Sequence, residues 1–281
     1  MGKVPAGTVA AAAVALLLVL VPVSSHAADN TVYKLPWEKF NVQAGAFFAA
    51  LDDKVQVGVG GAGVIIDVED VLGMKAHNTV FRIGGDYRIG EERRHRVDLE
   101  YFYFNRSSNK NLGKDIVVDN VVFSAGTNVD ATFNFQILKA AYSYSFFQDD
   151  RMDLAASIGL FVMPIKFEVS TSQGGGANKE LKFTAPLPVL GLRGDFAITP
   201  KWYFRSKIEF FYLEYQNFTG GLMDTNLALE YNAWKNFGIG FGLENFRVKL
   251  SAEGSDYPSL NFNGDVKMQY IGAQLYARYF F

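Results

Sequence analysis

The sequence has no cysteine, so neither a disulfide framework nor a thiolate metal site can hold the fold, which must rest on hydrogen bonding and burial. Only three histidines occur, which leaves little material for general-base chemistry. Neither sign of charge dominates: 27 Lys and Arg stand against 29 Asp and Glu, a balance unlike that of a nucleic-acid-binding protein. After the first few dozen residues there is no long apolar run, so the sequence offers no later helical membrane span. What it has in excess is aromatic, with 25 Phe and 14 Tyr among 281 residues.

The one apolar run lies at the start. Lys3 precedes an almost unbroken apolar stretch from Val9 to Val21, followed by Pro22 and the small-residue sequence Ser24-Ser25-His26-Ala27-Ala28. A charged start, a short apolar centre and an A-x-A-like exit read as a secretory signal peptide cleaved after Ala27; an anchor helix would need about 20 apolar residues. Residues 28–281 then carry 26 basic and 29 acidic side chains.

Nearly every later segment alternates with period two and none keeps helical spacing, which predicts an all-β fold. From Trp202 to Tyr215, one face carries Trp202, Phe204, Ile208, Phe210 and Tyr212, and the other carries Arg205, Lys207 and Glu209. Phe81, Ile83, Tyr87 and Ile89 oppose Arg82, Asp86 and Arg88; Val97, Leu99, Tyr101 and Tyr103 oppose Arg96, Asp98 and Glu100. Between Leu222 and Trp234, Met223, Leu227, Leu229 and Tyr231 oppose Asp224, Asn226, Glu230 and Asn232. A soluble sandwich would turn its charges outward, whereas a transmembrane antiparallel up-and-down β-barrel turns them into its lumen.

Two features favour the barrel. The alternation runs to the last residue, with Ile271, Ala273, Leu275, Ala277, Tyr279 and Phe281 on one face, where soluble domains usually fray into polar residues. Short turns near 91–94, 148–151, 199–201 and 235–236 also alternate with longer polar links near 109–128, 171–179 and 252–263, the asymmetry of periplasmic turns and outer loops. The three tryptophans, Trp37, Trp202 and Trp234, then fall at periplasmic strand ends, where an aromatic girdle is expected.

Ten strands are predicted, at about 38–59, 77–90, 93–107, 129–148, 151–170, 180–199, 201–217, 220–235, 237–252 and 264–281. Twelve would follow if residues 62–72 joined the sheet, since single-chain bacterial barrels are even-numbered. A kink is expected at Asp52-Asp53, and apparent changes of phase near Leu138, at Pro164 and near Glu244 read as bulges. Pro186 and Pro188, which cannot donate ladder hydrogen bonds, predict another.

Ile65-Ile66-Asp67-Val68-Glu69-Asp70-Val71-Leu72-Gly73, Phe81-Arg82-Ile83-Gly84-Gly85-Asp86-Tyr87-Arg88, His95-Arg96-Val97-Asp98, Pro186-Leu187-Pro188-Val189-Leu190-Gly191-Leu192-Arg193 and the closing strand give the chain its likeness to known proteins. On these stretches it resembles a widespread group of Gram-negative outer-membrane β-barrel proteins and, more distantly, the OmpW-like small barrels. The closing Leu275, Ala277, Tyr279 and Phe281 look like the sorting signal of such barrels. The resemblance implies outer-membrane location and a single-chain barrel; for such a barrel a monomer is expected, in contact with outer-membrane lipids and lipopolysaccharide and inserted by the barrel assembly machinery. It supplies no solute, cofactor or catalytic residue.

The candidate lumen set is Arg82, Asp86, Arg88, Arg96, Asp98, Glu100, Arg193, Asp195, Arg205, Lys207, Glu209 and Glu230. It predicts either a salt-bridge network that closes the barrel or a narrow polar pore, because ten to twelve strands lie between a filled barrel and an aqueous one. Asp67-x-Glu69-Asp70 offers oxygen ligands but lacks the ligand count and glycine of a calcium loop, so it reads first as an acidic loop or partial plug, with no metal assigned. An enzyme would need His77, with Ser107 or Ser108 on the same rim, since His95 falls at a periplasmic turn. That leaves a lipid-modifying enzyme as the alternative to a passive channel or closed wall barrel. Gly174 to Gly176 read as a flexible loop, and Gly238, Gly240 and Gly242 as space for large lumen neighbours or for a wider pore.

Overall fold

The computed structural model describes residues 37–57, 65–119, 121–171, 176–257 and 260–281, and the side chains of all these except 254–257 and 260–262. The expected signal peptide, residues 1–27, and Gly174 and Gly175 lie outside the described residues.

Among the described residues thirteen strands follow in chain order: β1 (Phe40–Val57), β2 (Ile66–Asp67), β3 (His77–Ile89), β4 (His95–Asn111), β5 (Ile116–Val118), β6 (Val121–Phe123), β7 (Asn128–Gln148), β8 (Met152–Thr171), β9 (Asn178–Ala197), β10 (Trp202–Tyr215), β11 (Phe218–Trp234), β12 (Phe237–Tyr257) and β13 (Leu260–Phe280). Ten of them form the wall, each antiparallel to the next, and β1 pairs with both β3 and β13, which closes the sheet. Closure matters because lipid offers no partner for an unpaired backbone N–H or C=O. β2 is only a two-residue addition to β1, and β5 and β6 form a separate hairpin, so among the described residues ten strands, not twelve, make the wall.

One alternation of faces runs the length of the wall. On β1 the outward residues from Val42 to Ala50 are apolar, and they are followed outward by Asp52, Lys54 and Gln56. β13 shows the same in reverse, with Gln269 and Lys267 above Ile271, Leu275 and Tyr279. An apolar outer band of about nine residues per strand suits a bilayer crossing. The strands continue well above it, so the expected long outer links are largely strand: β4 reaches Asn111, and β12 and β13 meet across Tyr257 and Leu260.

The interior inverts near the top of that band. Below, it is charged; above, it is an apolar core of the kind a soluble protein has. The change falls within one inward step on strand after strand: Arg82 to Val80, Glu100 to Phe102, Lys139 to Ile137, Glu209 to Phe211, Asp224 to Leu222, Glu244 to Phe246. Phe104 stacks on Phe135 with ring centroids 4.5 Å apart, and Phe246 on Tyr270 at 4.8 Å. Phe47 meets Phe102, Phe104 and Tyr270 edge-on.

This inversion corrects several expectations. The register is kept past Leu138, Pro164 and Glu244, and past Asp52-Asp53, although β7–β8 pairing lapses between Phe135–Ile165 and Leu138–Val162. No bulge or register break occurs there; the apolar residues change faces because the medium outside changes from lipid to water. The register shifts fall instead at Ser145/Phe147, Tyr231/Trp234 and Gly254/Tyr257. Pro186 and Pro188 pair in register with Val162 and Leu160. Registered pairing of β9 with β10 ends at Leu190–Phe210, so both prolines sit where β9 has one registered neighbour, the edge position that tolerates proline.

The girdle expectation fails for one tryptophan. Trp202 and Trp234 are exposed on the wall, but Trp37 is fully buried. It lies under the periplasmic mouth, where its indole N–H donates to the Asp149 carbonyl at 2.9 Å, its ring meets Tyr203 and its face receives the Arg88 guanidinium.

The outer half is also sealed at a seam. Above Arg82–Phe102, β3 and β4 lose their registered pairing. Residues 65–76 occupy this region, with Ile66, Val68, Leu72 and Met74 buried in the core. Arg106 on β4 pairs with Asp53 and Glu69 and donates to the Lys75 carbonyl at 3.0 Å, while Ser108 donates to the Leu72 carbonyl at 2.7 Å.

Replacing Phe104 by Ala removes a ring from the centre of the upper core and is expected to destabilise the barrel by roughly 3–5 kcal/mol. Phe81→Ala, on the lipid face, should cost much less. Urea unfolding of detergent-folded protein compares the two.

Candidate functional site

Because successive side chains on a strand alternate faces, the positions opposite the lipid-facing residues converge on the barrel axis. All twelve residues of the lumen set point inward, and each has an ion-pair partner within 4.0 Å. They form two groups.

The lower group is centred on Asp195. Its carboxylate stands 3.1 Å from Arg205 and 3.4 Å from each of Arg88, Arg96 and Arg193. Arg88 and Arg193 share Asp153, at 2.6 and 3.4 Å. Arg96 reaches Asp98 at 2.6 Å and Asp86 at 3.2 Å, and Asp86 accepts from the Asn41 amide. Arg205 also pairs with Glu230 at 2.6 Å and with Glu38, and both of these carboxylates are shared with Arg278.

The upper group lies just beneath the aromatic core. Arg82 bridges Glu100 and Glu244 while its guanidinium lies over the Phe102 ring. Lys139 pairs with Glu209 and approaches Asp224 at 3.9 Å, and Lys207 spans Glu209 at 3.7 Å and Glu100 at 4.0 Å. The Tyr270 hydroxyl donates to Glu244 and that of Tyr276 to Glu230.

Six members lie outside the lumen set read from the sequence: Glu38, Lys139, Asp153, Asp224, Glu244 and Arg278. Asp224 and Arg278 sit on the polar side of legible strands. Lys139 and Glu244 stand at the inversion, where the pattern itself is ambiguous, and Glu38 precedes β1 and acts from below. Among the described residues, this network has ten carboxylates and eight cations.

The network leaves little space. It encloses a cavity of about 80 Å³ reached by Asn41, Gln43 and Gln274, room for only a handful of waters. The inward Gly238, Gly240 and Gly242 do not widen it, because Arg278, Tyr276 and Gln274 from β13 fill the space beside them. Cα atoms of β9 and β13, which are not sheet neighbours, approach within 8 Å.

The other candidates stand apart. Glu69 is held by Arg106 and accepts from the Asp53 amide; Asp67 caps the Asp70 amide at 2.8 Å and pairs with Lys54. Those carboxylates serve the seam, and no group of three potential metal ligands occurs among the described residues. His77 is exposed on the outer face of β3; Ser107 faces outward on β4 and Ser108 inward. No hydrogen bond joins His77 to a serine or carboxylate among the described residues. His95 bonds the Tyr142 hydroxyl at 2.6 Å.

No protein-family model and no curated protein sequence matches the chain. Solved structures do. The outer-membrane protease OmpT from Escherichia coli is similar at 10% identity and a TM-score of 0.54, over 92% of this chain and 100% of that one. The Pseudomonas aeruginosa outer-membrane protein OprG is similar at 11% identity and a TM-score of 0.39, over 88% and 100%. The Pseudomonas putida toluene transporter TodX is similar at 8% and 0.37, over 90% and 94%. This chain is an outer-membrane β-barrel. The closed ten-stranded wall and its apolar band embed it in that membrane.

Glu230 accepts from Arg205, Arg278 and Tyr276 at once. Glu230→Ala leaves two buried guanidinium groups short of a partner and is expected to cost about 3–5 kcal/mol. Glu92→Ala, which breaks an exposed pair with Arg94, should leave the urea midpoint unchanged.

Proposed function

We propose that this protein is a closed, non-enzymatic wall barrel whose lumen passes no solute and whose interactions take place on its outer wall and rim. The observation that carries this reading is the filling of the lumen at three successive levels. Trp37 lies under the periplasmic mouth, the ion-pair network crosses the membrane level, and the aromatic core with the 65–76 segment occupies the outer half. An eight-stranded barrel is filled by its side chains and a sixteen-stranded one is open; here ten strands with large inward residues fall on the filled side. Removing any one inward charge would strand its partners, so the network favours staying shut.

A narrow channel is the second reading. It is favoured by the polar cavity between the two groups of ion pairs. The excess of carboxylates over cations would make such a channel cation-selective. A lipid-modifying enzyme centred on His77 draws no support from the isolated position of that residue.

In a planar lipid bilayer the refolded barrel, its folding verified by heat-modifiable gel mobility, is expected to give no discrete conductance steps. Reproducible steps would overturn the closed reading. The channel reading would then require that Glu209→Lys reduce cation selectivity and that Arg205→Glu increase it.

A further inference from the structure

Just above the apolar band the outer wall carries charge, and the two sides of the barrel treat it differently. On β8 and β9, Lys166 lies 2.7 Å from Glu168 and 3.2 Å from Glu180, and Lys182 lies 2.5 Å from Glu180. That side is neutralised by its own acids. On β12 and β13 it is not. Reading across the register, Gly221 faces Lys249, Lys249 faces Lys267, and Lys267 faces Lys54. One step lower, Met223 faces Arg247 and Arg247 faces Gln269.

Lys54 is satisfied by Asp52 at 2.9 Å and Asp67 at 3.4 Å. Arg247, Lys249 and Lys267 form no ion pair among the described residues, although Asp265 stands one step above Lys267 on the same face. Like charges directly opposite each other across strands are destabilising, and here Lys249 and Lys267 are so placed with no acid between them. Arg247 lies below them with its Nε buried and lacking a hydrogen-bond partner. The side chains border a groove of about 470 Å³ that also takes in Gly221 and Asp52, the latter held by Lys54.

The height of the patch says what would neutralise it. Arg247 and Lys267 each stand four residues above the exposed lipid-facing Leu243 and Ile271, roughly 13 Å along the strand at 3.3 Å per residue and about 10 Å in height once strand tilt is included. That is the level of headgroup phosphates, and lysine and arginine near an anionic leaflet bind it electrostatically. We infer that Arg247, Lys249 and Lys267 form a docking site for the phosphate groups of an outer-leaflet saccharolipid such as lipopolysaccharide, with an acyl chain lying against the apolar band below. The site is on the outside of the wall and holds whether or not the lumen conducts.

The test uses the detergent-folded barrel, purified lipopolysaccharide, the same lipid enzymatically dephosphorylated, and inorganic phosphate, with binding read by native mass spectrometry. Wild-type protein should bind the phosphorylated lipid, and the Arg247→Ala/Lys249→Ala/Lys267→Ala variant should bind it at least about tenfold more weakly, while Lys166→Ala/Lys182→Ala binds as the wild type does. Dephosphorylation should reproduce the loss seen in the triple variant. Equal binding by the triple variant, or by the dephosphorylated lipid, would overturn the assignment. So would inorganic phosphate binding as tightly as the lipid, which would make the patch a free-phosphate site. Because the substituted side chains face outward, the triple variant should keep its heat-modifiable mobility; should it not, Lys249→Gln/Lys267→Gln provides the same comparison.

Discussion

The medium outside the wall changes from lipid to water partway along each strand, and everything inside the barrel follows from that change. A strand has only two faces. Where the outer face meets lipid it must be apolar, and the inner face takes the charge. Where the outer face meets water, apolar burial becomes the favourable use of the inner one. The wall therefore encloses two interiors joined end to end, an ionic one and an aromatic one, with Arg82, Lys139, Glu209 and Glu244 at the boundary.

The two interiors hold their shape by different means. The aromatic level is cohesive by area, and each large side chain removed from water there contributes on the order of 1.5–3 kcal/mol. The ionic level gains little from merely existing, because desolvation offsets much of the attraction between buried charges. Its contribution is geometric. Asp195 on β9 ties together guanidinium groups from β3, β4, β9 and β10, and Glu38 below the mouth ties β10 to β13. Such cross-lumen ties fix the shape of the lumen in a way that neighbouring-strand hydrogen bonds alone do not.

Much of this was legible in the sequence because period two survives wherever the two media differ. The strands and the inward direction of residues such as Arg88 and Glu230 follow from alternation. The difficulty arose where alternation continued but its meaning reversed. Phe133, Phe135 and Ile137 lie on the same face as Lys139; by hydropathy alone they read as having changed sides, and a bulge is the natural reading. Trp37 misled for a related reason. Its position at a strand end matches a girdle residue, and only the folded chain shows that it passes beneath the mouth.

The same logic explains why charge on the outer wall carries more information than charge in the lumen. Inside, a cation must find an anion within the barrel, because no other source exists; pairing there reveals only that the fold is self-consistent. Outside, above the apolar band, water and lipid headgroups can supply the counter-charge. Lys166 and Lys182 use protein carboxylates despite that freedom. Lys249 and Lys267 face each other with Arg247 one step below, and none of the three has an acid partner among the described residues; in the proposed docking the surrounding leaflet neutralises them. On the proposed docking, one side of an otherwise uniform wall is the side that meets a phosphorylated lipid.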